Sequence, residues 1–346
     1  MRYTKVYLDA ITYELPPVVI SSSELEDRLM PVYDALHISG GQLEALTGIT
    51  ERRWWEQGYE LSEGAIAAAR KALYAASLDS KDIQALIYAG VCRENFEPAT
   101  ACRVAAGVGV NPGAAIYDIS NACLGVMNGI LDIANRIELG QIRAGMVVSC
   151  ETAREINDIM IDRLLEEKNM ALFTTSLATF TGGSGAVAVL ITDGSFSRSK
   201  QRRLLGGATR TAPEFYTLCR WGINARDPKR FQSMSTDSVS VMKHGIALGL
   251  ETWKEFLKEM EWDTEQIDRI ICHQVGSAHQ EQILKVLGIP KEKDFTTYEY
   301  MGNIGTVSLP ITAALAEEYE FLQPGNKVGF LGIGSGLNCL MLGLEW

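Results

Sequence analysis

The chain has 346 residues, of which 47% are hydrophobic and 22% charged, and this ordinary globular composition excludes collagen-like, coiled-coil and largely disordered proteins. The length suits either two domains or one large fold with two halves. The net charge of −11 means that the chain lacks the surplus of Lys and Arg that general binding to nucleic acid or to an anionic membrane requires.

Targeting signals, membrane spans and metal motifs are not evident in the sequence. Residues 1–17 lack the basic and then apolar segments of a signal peptide, and no apolar run approaches the roughly 20 residues that cross a bilayer. None of the seven cysteines has the CxxC spacing of a zinc ribbon or a redox motif. We therefore expect a reduced, cytoplasmic protein without a membrane span and without a bound metal.

Apolar strands alternate with amphipathic helices along the chain, which predicts an α/β fold. The first half contains predicted helices at 65–76, 99–107, 124–139 and 156–168, and predicted strands at 85–91, 115–120, 146–150 and 186–191. The second half contains predicted helices at 239–260, 280–287 and 309–320, and predicted strands at 267–272, 328–331 and 340–344.

The two halves also resemble each other in sequence. Residues 78–91 and 262–275 share acidic and apolar positions at a constant offset of 184, so that each copy leads into a predicted strand. Further along, Cys123 and Asn303 each lie just before a predicted helix, at an offset of 180. These matches predict an internal duplication in which the strand ends of both halves face a common site. A chance match of apolar positions is the alternative.

A basic stretch lies between the two repeats. Residues 197–230 carry nine basic side chains and only two acidic ones, which suits a phosphorylated ligand or an acidic carrier as well as it suits a solvated loop. The basic residues are Arg198, Lys200, Arg202, Arg203, Arg210, Arg220, Arg226, Lys229 and Arg230.

Cys123 is the candidate nucleophile. It follows a strand that is predicted to end at Ser120, and it lies at the start of the next helix. The positive end of a helix dipole favours a thiolate, and a sharp strand–turn–helix connection exposes a side chain as a nucleophile elbow does. A buried structural thiol is the alternative, because free cysteines are usually buried.

Three further segments carry polar groups or glycines where ligands bind in α/β proteins. His273 ends a predicted buried strand, and Asn303 lies in MGNIG, where the flanking glycines permit a tight turn. A structural histidine and a turn asparagine are the respective alternatives. The glycines of 332–338 precede a short strand and not a helix, which excludes a dinucleotide fingerprint and favours backbone N–H donors to an oxyanion.

Taken together, NACLG, CHQVG, MGNIG and GIGSGLN, in this order and at these distances, resemble the condensing enzymes of the thiolase superfamily over nearly the whole chain. TGITERR at 47–53 is similar to the TGI-x-ERR stretch of 3-oxoacyl-acyl-carrier-protein synthase III. NACL and the segments 93–98, 209–220 and 331–339 look most like the OleA-type enzymes, which join two fatty acyl-CoA molecules head to head into a β-keto acid.

The resemblance implies a thiolase fold: duplicated βα halves in a five-layer α-β-α-β-α arrangement, assembled as a homodimer. The halves would be residues 1–195, with the nucleophile and a dimer-facing insert, and residues 196–346, with the histidine and asparagine of the site. Acyl-CoA thioesters would be the substrates and acyl carrier protein a candidate partner, with no other cofactor.

The resemblance also implies roles at matching positions. Cys123 matches the acyl-accepting nucleophile, and His273 and Asn303 match the pair that stabilises the enolate of the second thioester. The amides of Cys123 and Ser335 match the oxyanion hole, and Glu97 matches a glutamate that reaches into the partner subunit's site. The remaining candidate substrate-binding residues are Arg210, Gly305, Gly334 and Gly336.

Non-decarboxylative condensation of two acyl-CoAs is the leading hypothesis, because removal of an α-proton needs a base and Glu97 supplies one. Glu94 is a second candidate for that base. The alternatives are decarboxylative condensation with malonyl carrier protein, a reaction like that of HMG-CoA synthase, a Cys-His-Asn thioester hydrolase, and a non-catalytic scaffold. Residues 42–46 lack the Trp and Arg with which synthase III enzymes hold the CoA adenine, so we expect the basic stretch to bind the CoA phosphates.

Overall fold

In the residues that the computed structural model describes, 1–196, 202–223 and 232–346, nine strands form one mixed sheet. The strands of the chain are β1 (Tyr7–Glu14), β2 (Val18–Ser21), β3 (Glu51–Trp54), β4 (Ala85–Ala89), β5 (Ala115–Ile119), β6 (Ala144–Glu151), β7 (Gly185–Thr192), β8 (Arg202–Thr211), β9 (Cys219–Ile223), β10 (Gln232–Thr236), β11 (Arg269–Cys272), β12 (Lys327–Gly334) and β13 (Asn338–Glu345). The sheet has the order β11-β12-β13-β8-β1-β7-β6-β4-β5, while β2 pairs with β3 and β9 with β10 separately.

The helices surround this sheet and connect its strands. They are α1 (Ser22–Leu36), α2 (Gln42–Thr47), α3 (Leu61–Ala76), α4 (Thr100–Val108), α5 (Gly125–Glu138), α6 (Arg154–Glu167), α7 (Met170–Ser176), α8 (Ser238–Met260), α9 (Ser277–Leu287), α10 (Tyr298–Met301) and α11 (Ser308–Glu318). None of them, within the described ranges, has both the length and the apolar character needed to cross a bilayer.

The sheet consists of two groups of strands that are joined by a short ladder. β1 pairs with β8 only through Tyr7 and Leu8, whereas its ladder with β7 has seven residue pairs. In the first group β4, β5 and β6 run parallel, and in the second β11 and β12 run parallel. The predicted boundary between residues 195 and 196 falls in the connection from β7 to β8, of which 197–201 lie outside the described residues.

The two groups repeat one another, which confirms the predicted duplication. β4 begins at Ala85 and β11 at Arg269, 184 positions later, and a short 3-10 turn precedes each of them. Asp79 and Asp263 are the N-cap residues that immediately precede these two turns. Equivalent segments therefore bring equivalent strand ends to the same region of the molecule.

Five layers result from the way the helices pack on the two groups. On α5, buried Val126, Ile130, Ile133 and Ile137 recur every three or four residues, and they form one apolar cluster with α11 and with Phe330 of β12. α3 and α4 cover the other face of the first group, and α8 and α9 cover that of the second. The order α-β-α-β-α confirms the predicted arrangement. An additional apolar cluster joins α1, α6 and α7 beside these layers.

Candidate active site

One cavity of about 960 Å³ opens at the carboxyl ends of the parallel strands of both groups. Its lining includes Val91 after β4, Ser120 after β5, Glu151 at the end of β6, His273 after β11 and Gly334 at the end of β12. Ligands of open α/β sheets bind outside the carboxyl ends of the strands, so this cavity is the candidate active site.

Cys123 reaches the cavity from a sharp turn between β5 and α5. Ala122 has φ +46°, a left-handed conformation that is uncommon for a residue with a side chain and that is often found at functional sites. The turn is complete within a few residues, because β5 ends at Ile119 and α5 begins at Gly125. The predicted strand–turn–helix connection is therefore present, and its cysteine lines the cavity.

The prediction that the helix N-terminus would favour the thiolate form of Cys123 was wrong. The pKa of the Cys123 thiol is raised to about 12, mainly by burial and to a smaller extent by nearby Cys219 and Glu151, while the backbone N–H of Cys123 itself lowers it. Desolvation of the charged form outweighs the helix N-terminus. The free side chain is consequently a neutral thiol near pH 7, and its proton must be lost as it attacks a substrate.

His273 follows β11 and lies against β12. Its backbone N–H donates to the carbonyl of Leu331 at 3.0 Å, and its side chain is buried. Burial lowers the pKa of His273 to about 3, with a smaller effect from the charge of His279, and burial lowers the pKa of His279 to about 4. Both imidazoles are thus neutral near pH 7. Among the described residues, Nδ1 of His273 has no hydrogen-bond partner.

Asn303 is fixed in a tight loop between two glycines. Its backbone N–H donates to the carbonyl of Thr181 at 2.8 Å, and its carbonyl accepts from the N–H of Gly183 at 3.0 Å. Gly302 has φ +68°, and a Cβ there would lie 2.4 Å from the Thr181 oxygen, so only glycine fits this close approach. Oδ1 of Asn303 accepts from the N–H of Gly305 at 3.1 Å. The amide NH2 of Asn303 is therefore the group that can donate to a ligand.

The loops that carry Cys123 and Asn303 are in direct contact. The N–H of Val126, in the first turn of α5, donates to Oγ1 of Thr306 at 2.8 Å. Thr306 lies three residues after Asn303, just as Val126 lies three residues after Cys123. The Cys123 loop and the Asn303 loop, which are equivalent in the two halves, therefore contact each other, as the predicted common site requires.

The turn after β12 approaches the Cys123 amide. A Cβ on Gly334 would lie 3.4 Å from the backbone nitrogen of Cys123, and Ser335 lines the same cavity. Nδ2 of Asn338 ties the turn in place by donating to Oδ1 of Asn121 at 3.0 Å and to the carbonyl of Ser335 at 3.3 Å. The two amides assigned to an oxyanion hole therefore belong to neighbouring segments of the wall.

Several predicted residues do not reach the cavity of their own chain. Arg210 is exposed and forms an ion pair with Glu255 at 3.0 Å, and Gly336 faces the side chain of Asn338. Glu97 is exposed on the loop after β4. None of the three is among the residues that line the cavity, whereas Gly305 and Gly334 are.

Glu94 is engaged elsewhere. Its Oε1 accepts from the backbone N–H of Ser62 at 2.7 Å, and its Oε2 lies 3.6 Å from a guanidinium nitrogen of Arg103.

Glu151 is the one carboxylate among the cavity-lining residues that the structure describes, and the sequence interpretation did not include it. The signal was available, because Glu151 ends a buried strand in the same way that His273 follows one.

Apolar side chains predominate in the rest of the wall, which also contains several serines and threonines, His279 and one arginine. Ile156 of α6, Trp221 of β9 and Met234 of β10 line the cavity, so that the β9–β10 ladder covers one side of it. Arg220 is the one Lys or Arg side chain among the lining residues in the described ranges. Arg202, by contrast, is buried in an ion pair with Glu317. The remaining basic residues that lie outside the described residues are Arg198, Lys200, Arg226, Lys229 and Arg230.

Comparison with known proteins gives matches over the whole chain. A family model described as 3-oxoacyl-[acyl-carrier-protein] synthase III C terminal matches residues 257–346. The acyl-CoA:acyl-CoA alkyltransferase of Shewanella oneidensis is 56% identical over 349 residues, which cover 100% of each chain. The protein of the same name from Xanthomonas campestris pv. campestris is 33% identical over 347 residues, again covering 100% of each chain.

Solved structures of OleA from Xanthomonas campestris have the same fold. A cysteine variant matches with a TM-score of 0.94 and 33% identity, covering 100% of this chain and 98% of that chain. A structure with bound lauric acid and lauroyl-CoA matches with a TM-score of 0.93 and 33% identity, covering 99% and 100%. Other similar structures contain cerulenin or have a glutamate or a histidine replaced.

Proposed function

This chain belongs to the acyl-CoA:acyl-CoA alkyltransferases, the OleA-type condensing enzymes of the thiolase superfamily, and we propose that it joins two fatty acyl-CoA molecules head to head by a non-decarboxylative Claisen condensation. The observation that carries this proposal is that Cys123, His273 and Asn303, from both halves of the duplication, line one cavity with a largely apolar wall. A covalent acyl intermediate divides a difficult reaction into two easier steps.

In the first step, the Cys123 sulfur attacks the carbonyl carbon of an acyl-CoA. The amides of Cys123 and Ser335 stabilise the oxyanion that develops on that carbonyl, because backbone N–H groups fixed in advance need no reorganisation. The C–S bond to CoA breaks, and the proton of the Cys123 thiol ends on the departing CoA sulfur. The acyl chain extends along the wall that Ile156, Trp221 and Met234 help to form.

In the second step, the carbonyl oxygen of another acyl-CoA accepts hydrogen bonds from His273 and from the NH2 of Asn303. A base removes its α-proton, and the resulting enolate attacks the acyl carbon on Cys123, which leaves as the thiolate. Water then cleaves the new β-ketoacyl thioester, so that two acyl-CoA and one water give a β-keto acid and two CoA. Arg220, exposed at the cavity, is suited to contact the phosphates of CoA.

Glu97 of a second copy of the chain is the proposed base. β5 is an edge strand of the sheet, and the loop beside it carries exposed Glu97 and Phe96, the latter 81% exposed. An edge strand can pair with another chain, and a dimer formed along this edge would bring each loop to the partner's cavity. We therefore propose a homodimer in which each site contains residues of both chains.

The product identifies the reaction. We expect the enzyme to convert a single long-chain acyl-CoA, without malonyl carrier protein, into a β-keto acid that contains the carbon atoms of two acyl groups. Mass spectrometry of the products, with and without malonyl carrier protein, is the measurement. A product two carbons longer that forms only with the carrier protein would indicate decarboxylative condensation. Release of free acid alone would indicate a thioester hydrolase.

His273→Ala and Asn303→Ala are expected to retain acylation of Cys123 and to lower condensation by about 10²–10³-fold each, the usual effect of removing one oxyanion donor. Intact-protein mass measures acylation, and product formation measures condensation. His244→Ala is the matched control, because His244 stacks on Phe215 and does not line the cavity. If the His273 variant cannot be acylated, the imidazole also serves the first step, and this division of roles is wrong.

A further inference from the structure

We propose that Glu151 is a positioning residue for the condensation step: its carboxylate holds the start of the 90–99 loop, and thereby determines where the loop places Glu97. Nothing in the sequence motifs or in the names of the relatives assigns a role to this residue. The inference rests on the proposed function, because it concerns the loop that carries the proposed base.

The carboxylate of Glu151 binds two successive amides of the loop. Its Oε1 accepts from the N–H of Val91 at 2.8 Å, and its Oε2 accepts from the N–H of Cys92 at 3.1 Å. The side chain is 4% exposed. Because β4 and β6 are parallel neighbours, the end of β6 lies beside the end of β4. Glu151, at the end of β6, can therefore hydrogen-bond to the backbone that follows β4. Two charge-assisted hydrogen bonds fix the direction of the loop at that point.

Further contacts stiffen this attachment. The hydroxyl of Tyr88 lies 2.9 Å from the carbonyl oxygen of Cys92 and 2.8 Å from that of Cys150, so its one hydrogen can be donated to either. The backbone carbonyl of Glu151 accepts from the indole N–H of Trp55 at 3.1 Å. Glu94 fixes the loop again through the N–H of Ser62. The loop is thus held from its first residues as far as Glu94, three residues before the exposed Glu97.

Glu151 also lines the cavity of its own chain, which raises the alternative that it acts there directly. A Cβ on Gly305 would lie 3.5 Å from its Cγ, so it packs beside the Asn303 turn. Burial raises the pKa of Glu151, and the hydrogen bonds from Cys92 and Val91 lower it only in part. Both carboxylate oxygens, however, already accept hydrogen bonds from backbone N–H groups, so taking up a substrate proton would require one of these attachments to the loop to weaken or break. This geometry favours positioning of the loop over direct removal of a substrate proton.

Glu151→Gln tests the role with little change in volume. A glutamine oxygen can accept from one amide, but its NH2 cannot accept from the other. We expect condensation to fall at least tenfold while acylation of Cys123 is retained. Acylation is even expected to be somewhat faster, because the charge of Glu151 contributes to the raised pKa of the Cys123 thiol. A merely structural role would slow both half-reactions together, and normal condensation in this variant would overturn the proposal.

Mixed dimers separate loop positioning from direct action. In a dimer of Cys123→Ala with Glu151→Gln, the remaining Cys123 belongs to the Glu151→Gln chain, but it receives its Glu97 loop from the other chain, where Glu151 is intact. We expect this dimer, isolated with two different affinity tags, to regain one working site. If Glu151 acts within its own cavity, the mixed dimer stays impaired, and the proposal is wrong.

Two controls complete the test. Glu97→Gln mixed with Glu151→Gln should show no recovery, because each site then lacks a correctly placed base. Glu151→Asp retains both acceptor oxygens and is expected to show a smaller defect of the same kind, so it carries the test if the glutamine variant does not fold.

The wild-type enzyme distinguishes failure of this inference from failure of the proposed function. If the wild type condenses acyl-CoA alone and Glu151→Gln does so equally well, only the inference fails. If the wild type requires malonyl carrier protein, the proposed function fails, and the inference falls with it.

Discussion

Cys123→Ala is expected to abolish condensation. Alanine cannot form the acyl thioester, and no other side chain can replace a nucleophile that is fixed by the strained Ala122 turn between β5 and α5. Removing the nucleophile of a catalytic unit costs as much as removing the whole unit, on the order of 10⁶-fold in a serine hydrolase. Product formation from a long-chain acyl-CoA measures the loss, and the mass of the intact protein shows whether any acyl group is still attached.

The matched control is Cys219→Ala. Cys219 lines the same cavity and lies close enough to influence the pKa of Cys123, but it belongs to β9 and not to the turn before α5. This variant should keep both acylation and condensation at roughly the wild-type level. If instead the Cys123 variant remains active and a label appears on Cys219 or on buried Cys92, the nucleophile has been assigned to the wrong thiol.

The central elements of the fold could be predicted because burial leaves a strong pattern in the sequence. β4 and β6 are buried at every position; β4 is an uninterrupted apolar run and β6 is apolar from Ala144 to Val148, and α5 shows a clear three- and four-residue periodicity. The repeated segment before β4 and β11 then indicated that both halves present the same strand ends. The cavity that Cys123, His273 and Asn303 line follows from that repetition.

Other elements escaped prediction for identifiable physical reasons. β8 begins with Arg202, which appeared to belong to a solvated or ligand-binding basic stretch. In the folded chain its guanidinium is buried, where it bonds to Glu317 and lies over the ring of Trp346. α1 contains Pro31 within its length, which is typical of a helix end and not of a helix interior. In both cases tertiary contacts compensate for an unfavourable local sequence.

Within the site, the sequence predicted where a residue lies relative to the strands and helices, but not how deeply it is buried or which groups it contacts. The place of Cys123 follows from strand and helix boundaries, but its raised pKa depends on how deeply the rest of the fold buries it, which local sequence does not express. Arg210 was matched by motif, yet β8 directs it to Glu255. Glu151 interacts with residues of the 90–99 loop, about 60 positions earlier in the chain, and no local pattern records such a pair.

Glu97→Gln is expected to retain acylation of Cys123 and to lower condensation at least ~10²-fold, the scale of general-base catalysis. Glutamine has the shape of glutamate but cannot take up the α-proton of the second acyl-CoA. Glu94→Gln is the matched control on the same loop, and it should condense nearly normally, because Glu94 does not line the cavity and a glutamine oxygen can still accept from the N–H of Ser62, which keeps the loop attached.

The decisive form of this experiment mixes two inactive variants. In a Cys123→Ala and Glu97→Gln heterodimer, one of the two sites combines an intact Cys123 with an intact Glu97, provided that Glu97 crosses to the partner. The heterodimer should then have about half of the wild-type activity, although each parent homodimer condenses poorly. A heterodimer as inactive as its parents would mean that Glu97 serves the cavity of its own chain. Since the exposed Glu97 does not line that cavity, this outcome would require the 90–99 loop to fold inward when substrate binds.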